Sequence, residues 1–127
     1  MILVDTSVWL DAERRSAAAL DAIAGLMTRG DLAVSAVTAH ELLRSPRLPP
    51  AWRDFYLQLF EAVPVLPVGL PEATAAAELH AARRRDAPGD TADALIAGTG
   101  FEAGAEVLTS DADFLTLGAG ARLLRPS

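Results

Sequence analysis

The chain contains no cysteine, which removes disulfides, thiol nucleophiles and zinc–thiolate sites together. Lysine is absent too: all eleven basic residues are arginine. Only two histidines occur, His40 and His80, far apart in sequence, so a histidine metal cage is not expected and any metal would sit on oxygen. No apolar run approaches the roughly 18 residues needed to span a bilayer, and no charged leader precedes the first apolar stretch. A cytoplasmic protein without membrane attachment is expected. Positive charge is also scarce. The net charge of −6 argues against broad attraction to nucleic acid, although a local arginine edge can exist within a negative total.

What is present is enough for one core. At 127 residues and 51% apolar, the chain should form a single domain over residues 1–127. Met1-Ile2-Leu3-Val4 reads as a short buried strand that stops at Asp5. Ser7 is expected near the N-cap of a helix reaching Glu13, and Ser16 caps a second helix that ends at Gly30. Leu32 to Val34 is a second strand. Thr38 and Glu41 fit a capping box, threonine at the helix start and glutamate three residues on.

After the proline-rich Ser45–Pro50 connection, Trp52, Phe55, Tyr56, Leu59, Phe60 and Val63 recur at helical spacing. That stripe is expected to serve the core or a dimer face. Val65 to Val68 is an edge strand because of Pro67. Pro71 at the first helical position opens a helix from Glu72 to Arg85, and residues 86–90 form a loop. Thr91 to Glu102 is helical, closed by Gly104. Glu106 to Thr109 is a fourth strand, Ser110 to Leu115 a polar turn into a short helix, and Ala121 to Leu124 a last strand. Strands alternating with helices predict an α/β fold, a parallel sheet of about four to five short strands flanked by helices.

In such a sheet, strand C-termini and the starts of the following helices share one edge. Asp5, Glu41, Asp93 and Asp111 all fall at such positions. Asp93 is the most pointed, an acid between Ala92 and Ala94 in a helix of small and apolar residues, where a carboxylate needs a partner. Gathered carboxylates repel one another until protonation or a cation relieves them. With no lysine available, a hard divalent cation, Mg²⁺ or Mn²⁺, one or two per site, is the economical answer. The chemistry inferred is metal-assisted hydrolysis of a phosphodiester.

Asp5-Thr6-Ser7 after the first strand, Glu41 in a Glu-Leu helix, Asp93-Ala94-Leu95-Ile96-Ala97, and Thr109-Ser110-Asp111-Ala112-Asp113-Phe114 resemble, in order and spacing, the four acidic motifs of PIN domains. Across residues 2 to 125 the chain is similar to the VapC toxins of bacterial toxin–antitoxin pairs. The resemblance implies a Mg²⁺- or Mn²⁺-dependent endoribonuclease, a homodimer, restrained by a cognate VapB-like antitoxin whose tail fills the acidic crevice. Residue by residue, Asp5, Glu41, Asp93 and Asp111 match the metal-binding acids, and Thr6, Ser7 and Thr109 match hydroxyl positions near the site. Asp113 shares the last motif and ranks second to Asp111. Asp90 shares the helix face of Asp93 without a fixed role. Candidates for contact with the RNA substrate are Arg14, Arg15, Arg44, Arg47, Arg83, Arg84 and Arg85.

Other acid-edge folds fail on inventory. A phosphoacceptor receiver needs a lysine, and a haloacid-dehalogenase phosphatase needs Asp-x-Asp, where this chain has Asp5 and Ser7. The rival from another class is a catalytically silent PIN-like module that binds RNA or protein. It leaves unexplained why mutually repelling carboxylates stand together.

Overall fold

A computed structural model describes residues 1–82, 90–117 and 120–125. Five strands form one parallel sheet: β1 (Ile2–Val4), β2 (Leu32–Ser35), β3 (Val65–Leu66), β4 (Glu106–Thr109) and β5 (Ala121–Leu123), in the order β3-β2-β1-β4-β5. Around it lie α1 (Thr6–Glu13), α2 (Ala17–Arg29), α3 (Ala36–Leu43), α4 (Pro50–Ala62), α5 (Leu70–Ala82) and α6 (Thr91–Ala103), with a 3-10 helix at Ala112–Leu117. The chain runs outward from β1 through β2 to β3, then returns to place β4 on the other flank of β1. That reversal opens a crevice beyond the C-terminal ends of β1 and β4, where open α/β sheets keep their sites.

Alternation along the strands sorts the core into two faces. Leu3, Ala33 and Val107 pack with Ala94, Ile96, Ala97 and Phe114 on one side. Val4, Leu32 and Val34 pack with Trp9, Ile23, Tyr56 and Leu59 on the other. A central parallel strand is covered on both faces, and Leu3 and Val4 are accordingly 0% exposed. The aromatic stripe of α4 is thus partly core: Tyr56 and Leu59 are buried, while Phe55 is exposed.

Several boundaries move for physical reasons. The N-cap position of α1 is Asp5, not Ser7, and the Asp5 side chain makes no capping bond. The second strand runs on to Ser35, whose hydroxyl accepts from the Val37 amide and caps α3. The capping box expected at Thr38 and Glu41 is therefore overturned: both residues lie inside α3. Pro71 occupies the second position of α5, where Glu72 reaches back to accept from the Gly69 amide. Ser16, Gly30 and Gly104 cap as the sequence suggests.

The small residues of α6 have two uses. A Cβ on Gly98 would lie 2.6 Å from the Glu72 carbonyl oxygen and 2.7 Å from the Ala76 nitrogen, so only glycine lets α5 and α6 pack this closely. A Cβ on Gly100 would lie 2.7 Å from a Val107 methyl, so α6 also presses on β4. Pinned from both sides, α6 presents its first turn, with Asp93, at the crevice.

Candidate metal centre

The crevice begins with Asp5. Its amide donates to the Leu108 carbonyl, which locks the end of β1 to β4, and only 2% of the residue is exposed. One carboxylate oxygen, Oδ2, accepts from Ser7 Oγ at 2.7 Å and from Thr109 Oγ1 at 2.8 Å. Those hydroxyls in turn accept backbone amides from the β4 exit: Ser110 donates to Ser7, and Asp111 to Thr109. Ser7 and Thr109 thus tie the carboxylate to the loop that carries Asp111. The other oxygen, Oδ1, is buried without a hydrogen-bond partner. Burial pushes the Asp5 carboxyl up from its ordinary range, and the Ser7 and Thr109 hydroxyls, together with the nearby Thr6 and Ser7 amides, pull it part of the way back.

Glu41 enters from α3, half-buried, with Oε1 accepting from Thr6 Oγ1 at 2.7 Å. Arg44, one turn on and exposed, has its nearest guanidinium nitrogen 4.0 Å from Oε2. Asp93 enters in the first turn of α6. Its carboxyl is pushed up to about 7, first by burial and then by the charges of Asp5, Asp90, Asp111 and Glu41. The four acids singled out in the sequence therefore share one electrostatic neighbourhood.

Asp90 belongs there too. It caps α6 by accepting from the Ala92 amide, and its charge acts on Asp93 ahead of that of Asp111. Asp111 is exposed; its Oδ1 accepts from the Asp113 amide and opens the 3-10 helix. Asp113 is exposed in that helix and is not among the charges that raise Asp93. Of the two acids in this motif, Asp111 is the one whose charge acts on Asp93.

Among the described residues, no three acidic or histidine side chains are grouped closely enough to form a ready metal cage. The acids are near enough to act on one another electrostatically, and an all-oxygen set of this kind suits a hard cation. The orphaned Asp5 Oδ1 and an all-oxygen donor set fit the same ion, because a buried unpaired carboxylate oxygen is costly until something binds it.

The arginines divide. Arg44 stands beside Glu41, and Arg47 is exposed in the connection from α3 to α4. Arg14 and Arg15 lie at the far end of α1 from Asp5. Arg15 has a left-handed backbone, φ 68°, and lines an apolar groove of about 320 Å³ with Leu20, Ala51, Trp52 and Phe55. Arg83, Arg84 and Arg85, and the loop expected before Asp90, lie outside the described residues. Sequence reasoning read Thr38 only as a helix cap and missed its place beside the site: it is 0% exposed with its hydroxyl 3.0 Å from that of Thr6. The available signal was a hydroxyl three residues before Glu41, on the same helix face.

A family model described as PIN domain matches residues 2–119. No curated protein sequence matches the chain. Among solved structures the chain is similar to a toxin–antitoxin complex from Klebsiella pneumoniae, at 16% identity over 100% of both chains with a TM-score of 0.79. It is similar to FitAcB from Neisseria gonorrhoeae at 23% identity, covering 99% of this chain and 98% of that one, TM-score 0.77. DNA-bound VapBC from Salmonella typhimurium matches at 19% identity over 96% and 95%, TM-score 0.71. At these identities the likeness speaks for the fold.

Proposed function

The chain belongs to the PIN-domain family, and from that premise we propose that it is a metal-dependent endoribonuclease that hydrolyses RNA phosphodiester bonds. In this reading it is the cytoplasmic, homodimeric toxin of a type II toxin–antitoxin pair and is inhibited by a cognate VapB-like antitoxin. The observation that carries the catalytic part is a cluster of acids: a buried Asp5 with one oxygen lacking a hydrogen-bond partner, beside an Asp93 raised to about 7 by burial and then by its acidic neighbours. The pairing with an antitoxin is supported by the toxin–antitoxin complexes among its structural relatives. No helix of the described residues is long and apolar enough to cross a membrane.

Asp5, Glu41, Asp93 and Asp111 would hold Mg²⁺ or Mn²⁺, one or two ions. When bound, the metal supplies an activated water and shields the phosphate as it accepts charge. The chain's own groups prepare that site. Ser7 and Thr109 fix the Asp5 carboxylate by one oxygen and leave the other without a hydrogen-bond partner; Thr6 holds Glu41 by Oε1, while Arg44 lies beside Oε2. Asp90 adds negative potential that favours a cation. Arg44 and Arg47 are the described arginines best placed to meet the RNA backbone, and selectivity among RNAs would come from shape and this rim.

The test is direct. The purified chain, freed from any partner, is incubated with structured RNAs in Mg²⁺ or Mn²⁺ and in EDTA, alongside Asp93→Asn. Cleavage is expected only for the unsubstituted chain with metal, and the products should carry 5′-phosphate and 3′-hydroxyl ends because water attacks. Cleavage indifferent to EDTA or to the substitution overturns the mechanism. Cyclic 2′,3′-phosphate ends would show attack by the RNA's own hydroxyl instead, and RNA retained uncut would favour the silent binding module.

A further inference from the structure

On the Glu41 side of the crevice, three oxygen atoms stand in a row. Thr6 Oγ1 is oriented to donate both to Glu41 Oε1, at 2.7 Å, and to Thr38 Oγ1, at 3.0 Å. A hydroxyl has one proton and a carboxylate only accepts, so the Thr6 proton cannot serve both neighbours. If it goes to Glu41, the shorter contact, the Thr6 oxygen remains free to accept from Thr38. We infer that Thr38 is a positioning residue for Glu41: its hydroxyl donates to Thr6, Thr6 donates to Glu41, and this relay holds the carboxylate towards the crevice. The inference rests on the metal-dependent reading above.

Burial supports it. Thr38 is 0% exposed, and a hydroxyl taken from water without a partner is unfavourable, whereas valine of the same shape would not be. The relay gives that hydroxyl a use. Thr38 lies three residues before Glu41 in α3, so both project from one helix face. Thr6 reaches them from α1, across 32 and 35 residues of sequence. Each donor in such a chain polarises the next, so the bond at Glu41 gains from the one behind it. The two sides of the crevice then differ: Asp5 is held directly by two hydroxyls, Glu41 by two in series.

Calorimetric binding of Mn²⁺ to the metal-free full chain tests this without any cleavage assay. Thr38→Val should weaken Mn²⁺ affinity about tenfold, the usual loss when a group orienting a ligand is removed. Thr38→Ser should restore it, because it returns the hydroxyl. In a Thr6→Val background, Thr38→Val should add no further loss, since the relay is already cut. Should Thr38→Val fail to fold by circular dichroism, Thr38→Cys, with only a weak donor, replaces it with the same expected loss. Unchanged affinity in the Thr38 variant, or a full second loss in the Thr6→Val background, overturns the relay while leaving the metal site standing. If the unsubstituted chain takes up no Mn²⁺, the metal reading fails and the relay falls with it.

Discussion

The two ends of α1 each carry a carboxylate, and they treat it in opposite ways. At the C-terminal end, Glu13 accepts a hydrogen bond from the Tyr56 hydroxyl at 2.5 Å. Tyr56 is fully buried, edge-on to Trp9 at 5.9 Å and stacked on Phe60 at 6.1 Å. Burial and the nearby Glu13 carboxylate both push the Tyr56 phenol up, so it stays a neutral donor and the charge on Glu13 is answered inside the fold. At the N-terminal end, Asp5 has one oxygen without a hydrogen-bond partner and shares its surroundings with Asp93 and further acids. A polar group satisfied by its own chain belongs to stability. One left unsatisfied among like charges is poised for something the chain does not contain.

The largest expected effect breaks that contrast at its functional end. Asp5→Asn should reduce cleavage on the order of a thousandfold, the several kcal/mol that metal-assisted charge stabilisation supplies. Without metal it should leave the thermal midpoint unchanged or raise it, since it removes a buried charge among repelling neighbours. A clear drop in that midpoint would make Asp5 a structural acid. At the other end, Tyr56→Phe should cost about 2 kcal/mol in denaturant unfolding, as expected for a hydrogen bond to a charged group, with the cleavage rate retained. Activity falling in step with stability would show that the two ends are not separable.

Another effect is read from pH. The Asp93 carboxyl is raised in the folded chain from 3.8 to about 7, so between those values the folded state holds a proton that the unfolded state has released. Stability in EDTA should therefore decline as pH rises from about 4 to about 7 and level off above. Asp93→Asn should flatten the decline, and a profile unchanged by that substitution would remove Asp93 from the cluster. Least of all, Glu13→Gln keeps an acceptor for Tyr56 and should cost only about 1 kcal/mol, the difference between a charged and a neutral bond. The same acid-to-amide exchange thus gives opposite signatures at the two ends of one helix.

Much of this was legible from the chain alone. Val4 followed by Asp5, and Leu108-Thr109 before Asp111, put two acids at strand ends, and alternating elements put those ends on one edge. Ser16, Gly30 and Gly104 announced helix ends by local chemistry that needs no distant partner. The capping box at Thr38 and Glu41 was equally plausible locally and did not form. Pairing of Ser35 with Leu66 extended β2, which left Ser35 to cap α3 and released Glu41 for the crevice.

Sequence by itself determined which residue types arrive at the edge, because strand alternation and helix caps are written within a few neighbouring residues. Only the tertiary structure decided how the acids are held: Thr109 reaches Asp5 across 104 residues, Thr6 reaches Glu41 across 35, and the nearness of Asp90 depends on where α5 and β4 pin α6. Each of these is a contact between elements, set by the packing of a shared core, and no local pattern in the chain encodes its distance.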